Sequence, residues 1–354
     1  MAATTDRSHT GLGLDAGERV HDVTVTAVSP DRGIGEFALV EALPDVAIVV
    51  LAAVTHFADP WFLFGLLALG YWLADDRVAS DPRASGATAI AIVACGYAAV
   101  SLGKVAFAVP RPPGAAAVAS SDVPTWLPTL LVGWFEGQLV SDGFGFPSGH
   151  ATGAVVGYGS LALLWNRIGR RRLRLVLAAG IAVGVSLSRI AIGVHYVVDV
   201  VAGALVGTAV VVGGLWIAGG SPLRSDTGGS APPGPTPVFL CAAFVSLLAA
   251  GVAVAGGHVD EVVEAAIGIG TGVGGALGWR FADESDPPLP MSFVVPALVA
   301  TGGLWMGAFA LGNVVSASAL TAAIATTLAT SVAVVGVIVM PSLVGRVSHT
   351  DKNA

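Results

Sequence analysis

The sequence is poor in charged residues, which make up 12% of its 354 positions, about half their share in an average soluble domain. Apolar residues make up 54%, and the mean hydropathy is +0.79. This composition excludes a disordered chain and an ordinary water-soluble enzyme. It predicts an all-α, polytopic integral membrane protein.

Basic residues and cysteines are also scarce. The 17 basic residues include only two lysines, Lys104 and Lys352, and the net charge is −7. Nucleic-acid binding depends on neutralising phosphates with basic side chains, so no nucleic-acid partner is predicted. The only two cysteines, Cys95 and Cys241, lie inside apolar runs. They predict buried small side chains rather than a disulfide framework or a metal cluster.

Apolar runs divide the chain into candidate membrane spans, each of which needs about 20 apolar residues. Two shorter runs, 46–58 and 61–74, are separated by Asp59-Pro60 and are predicted to be the first two spans. Together with eight clearer runs, they give a predicted total of ten spans, with eight or nine as alternatives. The clear candidates are 86–108, 150–166, 174–192, 196–218, 237–256, 262–281, 292–312 and 317–343.

Polar segments set the predicted domain boundaries. Residues 1–33 are polar and lack the apolar core of a signal peptide, which predicts a cytoplasmic tail. Residues 220–236 are rich in Gly, Pro and Ser, which predicts a flexible linker between a six-span core (34–219) and a four-span C-terminal module (237–345) of unknown role. A polar tail, 346–354, follows. The loop 113–146 contains tryptophans typical of a membrane surface, and whether it acts as a lid is left open.

Basic residues also indicate the orientation. The arginines between Arg167 and Arg174 predict a cytoplasmic loop. Ten spans threaded from that loop put the N-terminus in the cytoplasm and leave three basic residues at the extracytoplasmic face of the cell membrane: Lys104, Arg111 and Arg189. Three cations converging at that face predict a bound anion.

The first two cations lie seven residues apart, close to two helical turns, so a continuous helix would project both from one side. Pro110 and Pro112 predict that the helix ends near Arg111 and that the arginine turns inward.

A second element is Pro147-Ser148-Gly149-His150, at the start of a span. A helix N-terminus offers free N–H groups and a positive dipole end to an anion. Ser148 is a good helix cap, and Gly149 lets the backbone approach a ligand closely. His150 is predicted to face the same pocket from the first turn.

The third element runs from Ser188-Arg189 to His195 and Asp199. His195 and Asp199 are four residues apart and therefore share a helix face. A carboxylate bonded to one imidazole nitrogen makes the other nitrogen a better nucleophile.

Together these residue types predict phosphoryl transfer without a metal or other cofactor. His195 attacks phosphorus and forms a phosphohistidine, and Asp199 orients it. His150 protonates the leaving oxygen and then activates a water molecule. The predicted phosphate-binding residues are Lys104, Arg111, Ser148, Gly149 and Arg189.

Residues 104–112, 147–150 and 188–199 resemble the three motifs of the phosphatidic acid phosphatase type 2 family, the lipid phosphatase branch of a superfamily shared with vanadium haloperoxidases. The resemblance covers about residues 34–219. It implies a six-span helical core, an active site at the outer membrane face, and the same roles for these residues. Residues 220–354 carry no part of the pattern.

The predicted function is a membrane lipid phosphatase, and an amphiphile in the bilayer is the expected partner. An isoprenoid diphosphate is the first choice of substrate and a phosphatidate-like lipid the second. Alternatives are transfer of the phosphoryl or head group to an alcohol, vanadate-dependent halide oxidation, and a non-catalytic transporter or phosphate-lipid binding protein. The oligomeric state is not indicated.

The polar residues outside the three motifs are predicted to have structural rather than catalytic roles. His56 and Asp59 are predicted to be surface residues of an outer turn. His258, Asp260, Glu261 and Glu264 are predicted to lie in a solvated turn, because they lack metal-ligand spacing. The glycines between 268 and 278 predict close helix packing.

Overall fold

The computed structural model describes residues 32–113, 115, 123–219, 234–314 and 318–351. All regular secondary structure in these ranges is helical. The α-helices are α1 (Glu36–Val40), α2 (Asp45–Val54), α3 (Pro60–Leu73), α4 (Pro82–Phe107), α5 (Thr129–Leu139), α6 (Gly149–Leu164), α7 (Arg171–Ala191), α8 (Val197–Ile217), α9 (Pro235–Gly256), α10 (Val259–Trp279), α11 (Met291–Val314) and α12 (Ala319–Asp351).

Six of the described helices are long and apolar enough to cross a membrane, namely α4, α7, α8, α9, α10 and α12. The predicted all-α, polytopic architecture is therefore confirmed. Of the predicted boundaries, residues 1–31 and 220–233 lie outside the described residues. Helix α12 continues to Asp351, whereas its apolar, membrane-length part ends at Arg346, and the polar tail 346–354 stays a prediction.

The first two predicted spans differ from the expected hairpin. Helix α2, a short 3-10 turn and α3 follow one another with a bend of 51°. Asp59 is extended at the break, and Pro60 begins α3, where a proline without an N–H is tolerated. Helix α3 has 14 residues, about 21 Å at 1.5 Å per residue, which is too short to cross alone.

The two ends of the bundle differ in charge. The site end is where α4 finishes and α6 begins, and the described basic residues there are Arg32, Lys104, Arg111 and Arg189. At the opposite end, Arg83 donates to the carbonyls of Tyr71 and Pro287. The other described basic residues of that end are Arg77, Arg167, Arg170, Arg171, Arg172, Arg174, Arg280 and Arg346.

Helix α4 is buried along most of its length and forms the centre of the bundle. Helices α6 and α8 pack on it within the predicted core, and α9 and α10 pack on it from the predicted C-terminal module. The described residues from Arg32 onward thus form one compact unit.

A close approach of α8 to α6 positions the site. A Cβ atom at Gly203 would come within 2.5 Å of the Ser148 carbonyl oxygen, so only glycine allows this spacing. Thr152 Oγ1 donates to the Gly203 carbonyl at 2.9 Å, and the Ser148 N–H donates to the Asp199 carbonyl at 3.0 Å. These contacts bring the start of α8 to the start of α6.

Candidate active site

The predicted nucleophile, His195, lies in the connection between α7 and α8 and is 2% exposed. Its Nε2 atom is 3.0 Å from Arg111 Nη1. Its Nδ1 atom is 3.5 Å from Asp199 Oδ2 and makes no hydrogen bond among the described residues. The structure thus brings His195, Asp199 and Arg111 together.

The protonation of His195 follows from these surroundings. Burial lowers its pKa to about 3, and the charges of Arg111 and Arg189 act in the same direction, although Asp199 opposes them. The imidazole is therefore neutral at neutral pH and keeps the lone pair that a nucleophile needs.

Asp199 is shared between several donors. Its Oδ2 atom accepts from the Tyr196 N–H at 3.0 Å, and its Oδ1 atom accepts from Arg32 Nη1 at 2.5 Å. Arg32 also donates to the Pro110 carbonyl at 2.9 Å and lies over the Tyr196 ring. Sequence analysis missed this arginine and assigned it to a cytoplasmic tail, whereas it lies at the site end.

His150, the predicted acid, has a different carboxylate partner. Its Nε2 atom is 2.9 Å from Asp59 Oδ1. Asp59 Oδ2 is 2.5 Å from His56 Nδ1 and accepts from Trp61 Nε1 at 3.0 Å. The interpretation of His56 and Asp59 as surface residues is thus corrected, because the bend between α2 and α3 carries them into the site. The sequence signal for a functional position was an aspartate between two apolar runs.

Arg189 is 4% exposed and donates through Nη1 to Thr55 Oγ1 at 2.9 Å. Its Nε atom is buried and has no hydrogen-bond partner among the described residues. A buried guanidinium with an unused donor is costly unless an anion completes its bonding.

Arg111 turns inward, as the flanking prolines predict. Helix α4 ends at Phe107, and Ala108 adopts a left-handed conformation. Arg111 Nε donates to the Asp142 carbonyl at 3.0 Å, and Nη1 also donates to the Val194 carbonyl at 3.3 Å. These bonds hold the guanidinium beside His195.

The start of α6 has the predicted cap. Ser148 is fully buried, and its Oγ atom accepts from the Ala151 N–H at 3.4 Å. Gly149 is the first helical residue. A Cβ atom there would meet only Val100 at 3.5 Å, an ordinary contact, so the neighbouring protein atoms do not require glycine at this position.

Lys104 contacts Glu264, which the sequence analysis placed in a solvated turn away from the site. Its Nζ atom lies 3.5 Å from Glu264 Oε2, on α10. Glu261 is 8% exposed, and its Oε2 atom has no hydrogen-bond partner among the described residues. His258 packs edge-on against Phe144. The prediction of a solvated turn is therefore corrected for Glu261, which is buried, while Asp260 and Glu264 are exposed and His258 is half-buried at the turn before α10.

The described part of the loop 113–146 contacts one side of the site. Within it, α5 buries Phe135 against Ile192 and Val194, and Trp134 Nε1 donates to His56 Nε2 at 2.8 Å. Residues 114 and 116–122 of this loop lie outside the described ranges. Within those ranges, no three His, Cys, Asp or Glu side chains are arranged to hold a metal ion.

Residues 85–221 match the family model of the PAP2 superfamily. The chain therefore carries a PAP2-superfamily region, as its three motifs predict. All eight predicted catalytic and phosphate-binding residues fall inside the PAP2 match, whereas Arg32, Asp59, Glu261 and Glu264 fall outside it. Comparison with curated proteins and with solved structures gave no match.

Proposed function

We propose that the protein hydrolyses a lipid phosphomonoester or diphosphate through a phosphohistidine on His195. The main support is the contact between His195 Nε2 and Arg111 at 3.0 Å, because it sets a nucleophilic nitrogen beside a phosphate-binding cation. Membership of the PAP2 superfamily supports phosphoester chemistry, and the apolar helices supply the bilayer in which a lipid substrate resides.

In the proposed first step, Nε2 of His195 forms a bond to phosphorus as the bond from phosphorus to the lipid oxygen breaks. His150 gives its proton to that oxygen, so the lipid leaves as an alcohol or a monophosphate. In the second step, His150 takes a proton from water as the water oxygen attacks the phosphohistidine, which releases inorganic phosphate and restores His195.

The cations would stabilise the phosphoryl oxygens in both steps. Arg189 has a buried donor without a partner in the described part of the chain, and Arg111 lies beside the nucleophile. Lys104 and the N-terminus of α6 at Ser148 and Gly149 add positive charge and N–H donors.

We place the site at the extracytoplasmic face. The support is the charge difference between the two ends, since basic residues favour the cytoplasmic side. The described cations of the site end are those of the site itself, whereas the opposite end holds the arginines from Arg167 to Arg174.

The test is phosphate release by purified protein in detergent containing EDTA. A polyprenyl diphosphate and a long-chain phosphatidate would be assayed in parallel, with His195→Ala as the inactive reference. Release that is lost in His195→Ala supports the proposal, and the rate ratio ranks the two substrate classes. Release that is unchanged in His195→Ala contradicts it.

A further inference from the structure

An apolar groove of about 590 Å³ lies between α3 of the predicted six-span core (34–219) and the C-terminal helices. Helix α3 forms one wall, and α11 and α12 form the other. Its volume falls within the range of ligand pockets. Its lining includes Trp61, Leu69, Leu298, Gly302 and Met306.

The groove is suited to hydrocarbon rather than to a polar group. Its two threonine hydroxyls are satisfied within their own helices, because Thr271 donates to the Ile267 carbonyl at 2.8 Å and Thr301 to the Ala297 carbonyl at 2.7 Å. The rest of the lining is predominantly aliphatic and aromatic.

One end of the groove reaches the site. Trp61 lines the groove, and its Nε1 atom donates to Asp59 Oδ2 at 3.0 Å. The other oxygen of Asp59 is bonded to His150 at 2.9 Å. From Trp61, the lining of α3 continues away from the site as far as Leu69. A chain attached to a phosphate at His150 therefore has an apolar path along α3.

We propose that this groove holds the hydrocarbon chain of the lipid whose phosphate reacts at His195. The inference rests on the proposed function and adds the place where the long chain of the lipid substrate lies. It also gives the C-terminal helices a role, because α11 supplies a wall that the PAP2-matched region does not contain.

Two neighbouring glycines of α11 provide a matched test. Gly302 lines the groove, Gly303 does not, and a Cβ atom at either position meets no atom within 4 Å. We expect Gly302→Phe to lower kcat/KM for a long-chain phosphatidate about tenfold or more. Its kcat/KM for a water-soluble dibutyroyl phosphatidate should stay within about twofold, as should both values in Gly303→Phe.

A second pair of variants, at other positions of α11, tests the proposal even if the glycine variants misfold. Met306→Trp enlarges a side chain that lines the groove, whereas Leu304→Trp adds the same ring outside the lining, and both residues are exposed. Equal losses on long and short substrates, equal losses in the control variants, or no loss in either groove variant would overturn the proposal.

Photolabelling separates failure of the groove from failure of the proposed function. The probe is a long-chain alkyl phosphate with a diazirine near its terminal carbon, compared with the same alkyl alcohol lacking phosphate. Labelling of 61–69 and 298–306 by the phosphate probe above that by the alcohol supports the groove even if no phosphate is released. Equal labelling by both probes indicates bulk lipid and overturns the proposal.

Discussion

The site contains two histidine–carboxylate pairs that differ in construction. His195 and Asp199 are four residues apart, and Nδ1 of His195 is 3.5 Å from Oδ2 of Asp199, a carboxylate that also accepts from Arg32 and the Tyr196 N–H. His150 and Asp59 are 91 residues apart and contact each other at 2.9 Å. The local pair is visible in the sequence, whereas the long-range pair depends on the bend between α2 and α3.

The largest expected effect comes from removing the nucleophile of the local pair. His195→Ala should lower kcat by a factor on the order of 10⁴ or more, because it removes the atom that is proposed to form the covalent intermediate. Phosphate release from a lipid phosphate measures it. His258→Ala is the control, since His258 packs on Phe144 at the same end of the bundle. Comparable losses in both variants would contradict a specific role for His195.

The pair of His150 and Asp59 is tested by replacing its carboxylate. Asp59→Asn should lower kcat about 10²-fold for a lipid phosphate, because His150 loses the charge that holds it as a proton donor. The loss should shrink with para-nitrophenyl phosphate, whose leaving group needs no proton. Asp45→Asn, at the start of α2, is the control. A loss independent of the leaving group would mean that Asp59 has only a structural role.

The variant Arg32→Gln tests whether Arg32 and His195 share the negative charge of Asp199. Without Arg32, the negative charge of Asp199 acts more fully on His195 and raises its pKa from about 3. Since the neutral imidazole is the nucleophile, the acid limb of the kcat/KM profile should move to higher pH. Arg77→Gln, an exposed arginine at the opposite end, is the control. An unmoved acid limb, or one that moves to lower pH, contradicts the sharing.

The smallest effect is expected at the edge of the site. Glu264→Gln releases Lys104 from a partly exposed ion pair at 3.5 Å. Such pairs contribute at most about 1 kcal/mol, so KM for a lipid phosphate should fall by no more than about fivefold. Glu284→Gln, exposed at the opposite end, should leave KM unchanged. A rise in KM in Glu264→Gln would show that Glu264 positions Lys104 for the substrate.

Much of the fold and of the motif geometry is predictable from local pattern. Apolar runs locate the long helices, and the prolines around Arg111 predict its inward turn. The Ser148 cap follows from residue type at the start of a helix. The four-residue spacing of His195 and Asp199 predicts their closeness, although the predicted shared helix face is wrong because His195 precedes α8. Each of these features depends on neighbours within a few turns of helix.

The remaining contacts depend on tertiary packing, which local pattern does not contain. Asp59-Pro60 has the composition of a hairpin turn, and only the packing of α2 against α7 makes it a bend inside the bundle. Arg32 and Glu264 are single charges without a motif around them. Their partners lie 167 and 160 residues away along the chain, so no spacing rule could pair them.

The contact between Arg32 and Asp199 has a practical consequence for dissecting the protein. A fragment cut at residues 85 and 221 would keep every motif histidine and arginine. It would lack the carboxylate that holds His150, the guanidinium that neutralises Asp199, and the acid that pairs with Lys104. The smallest unit that keeps all three contacts therefore begins no later than Arg32 and extends at least to Glu264.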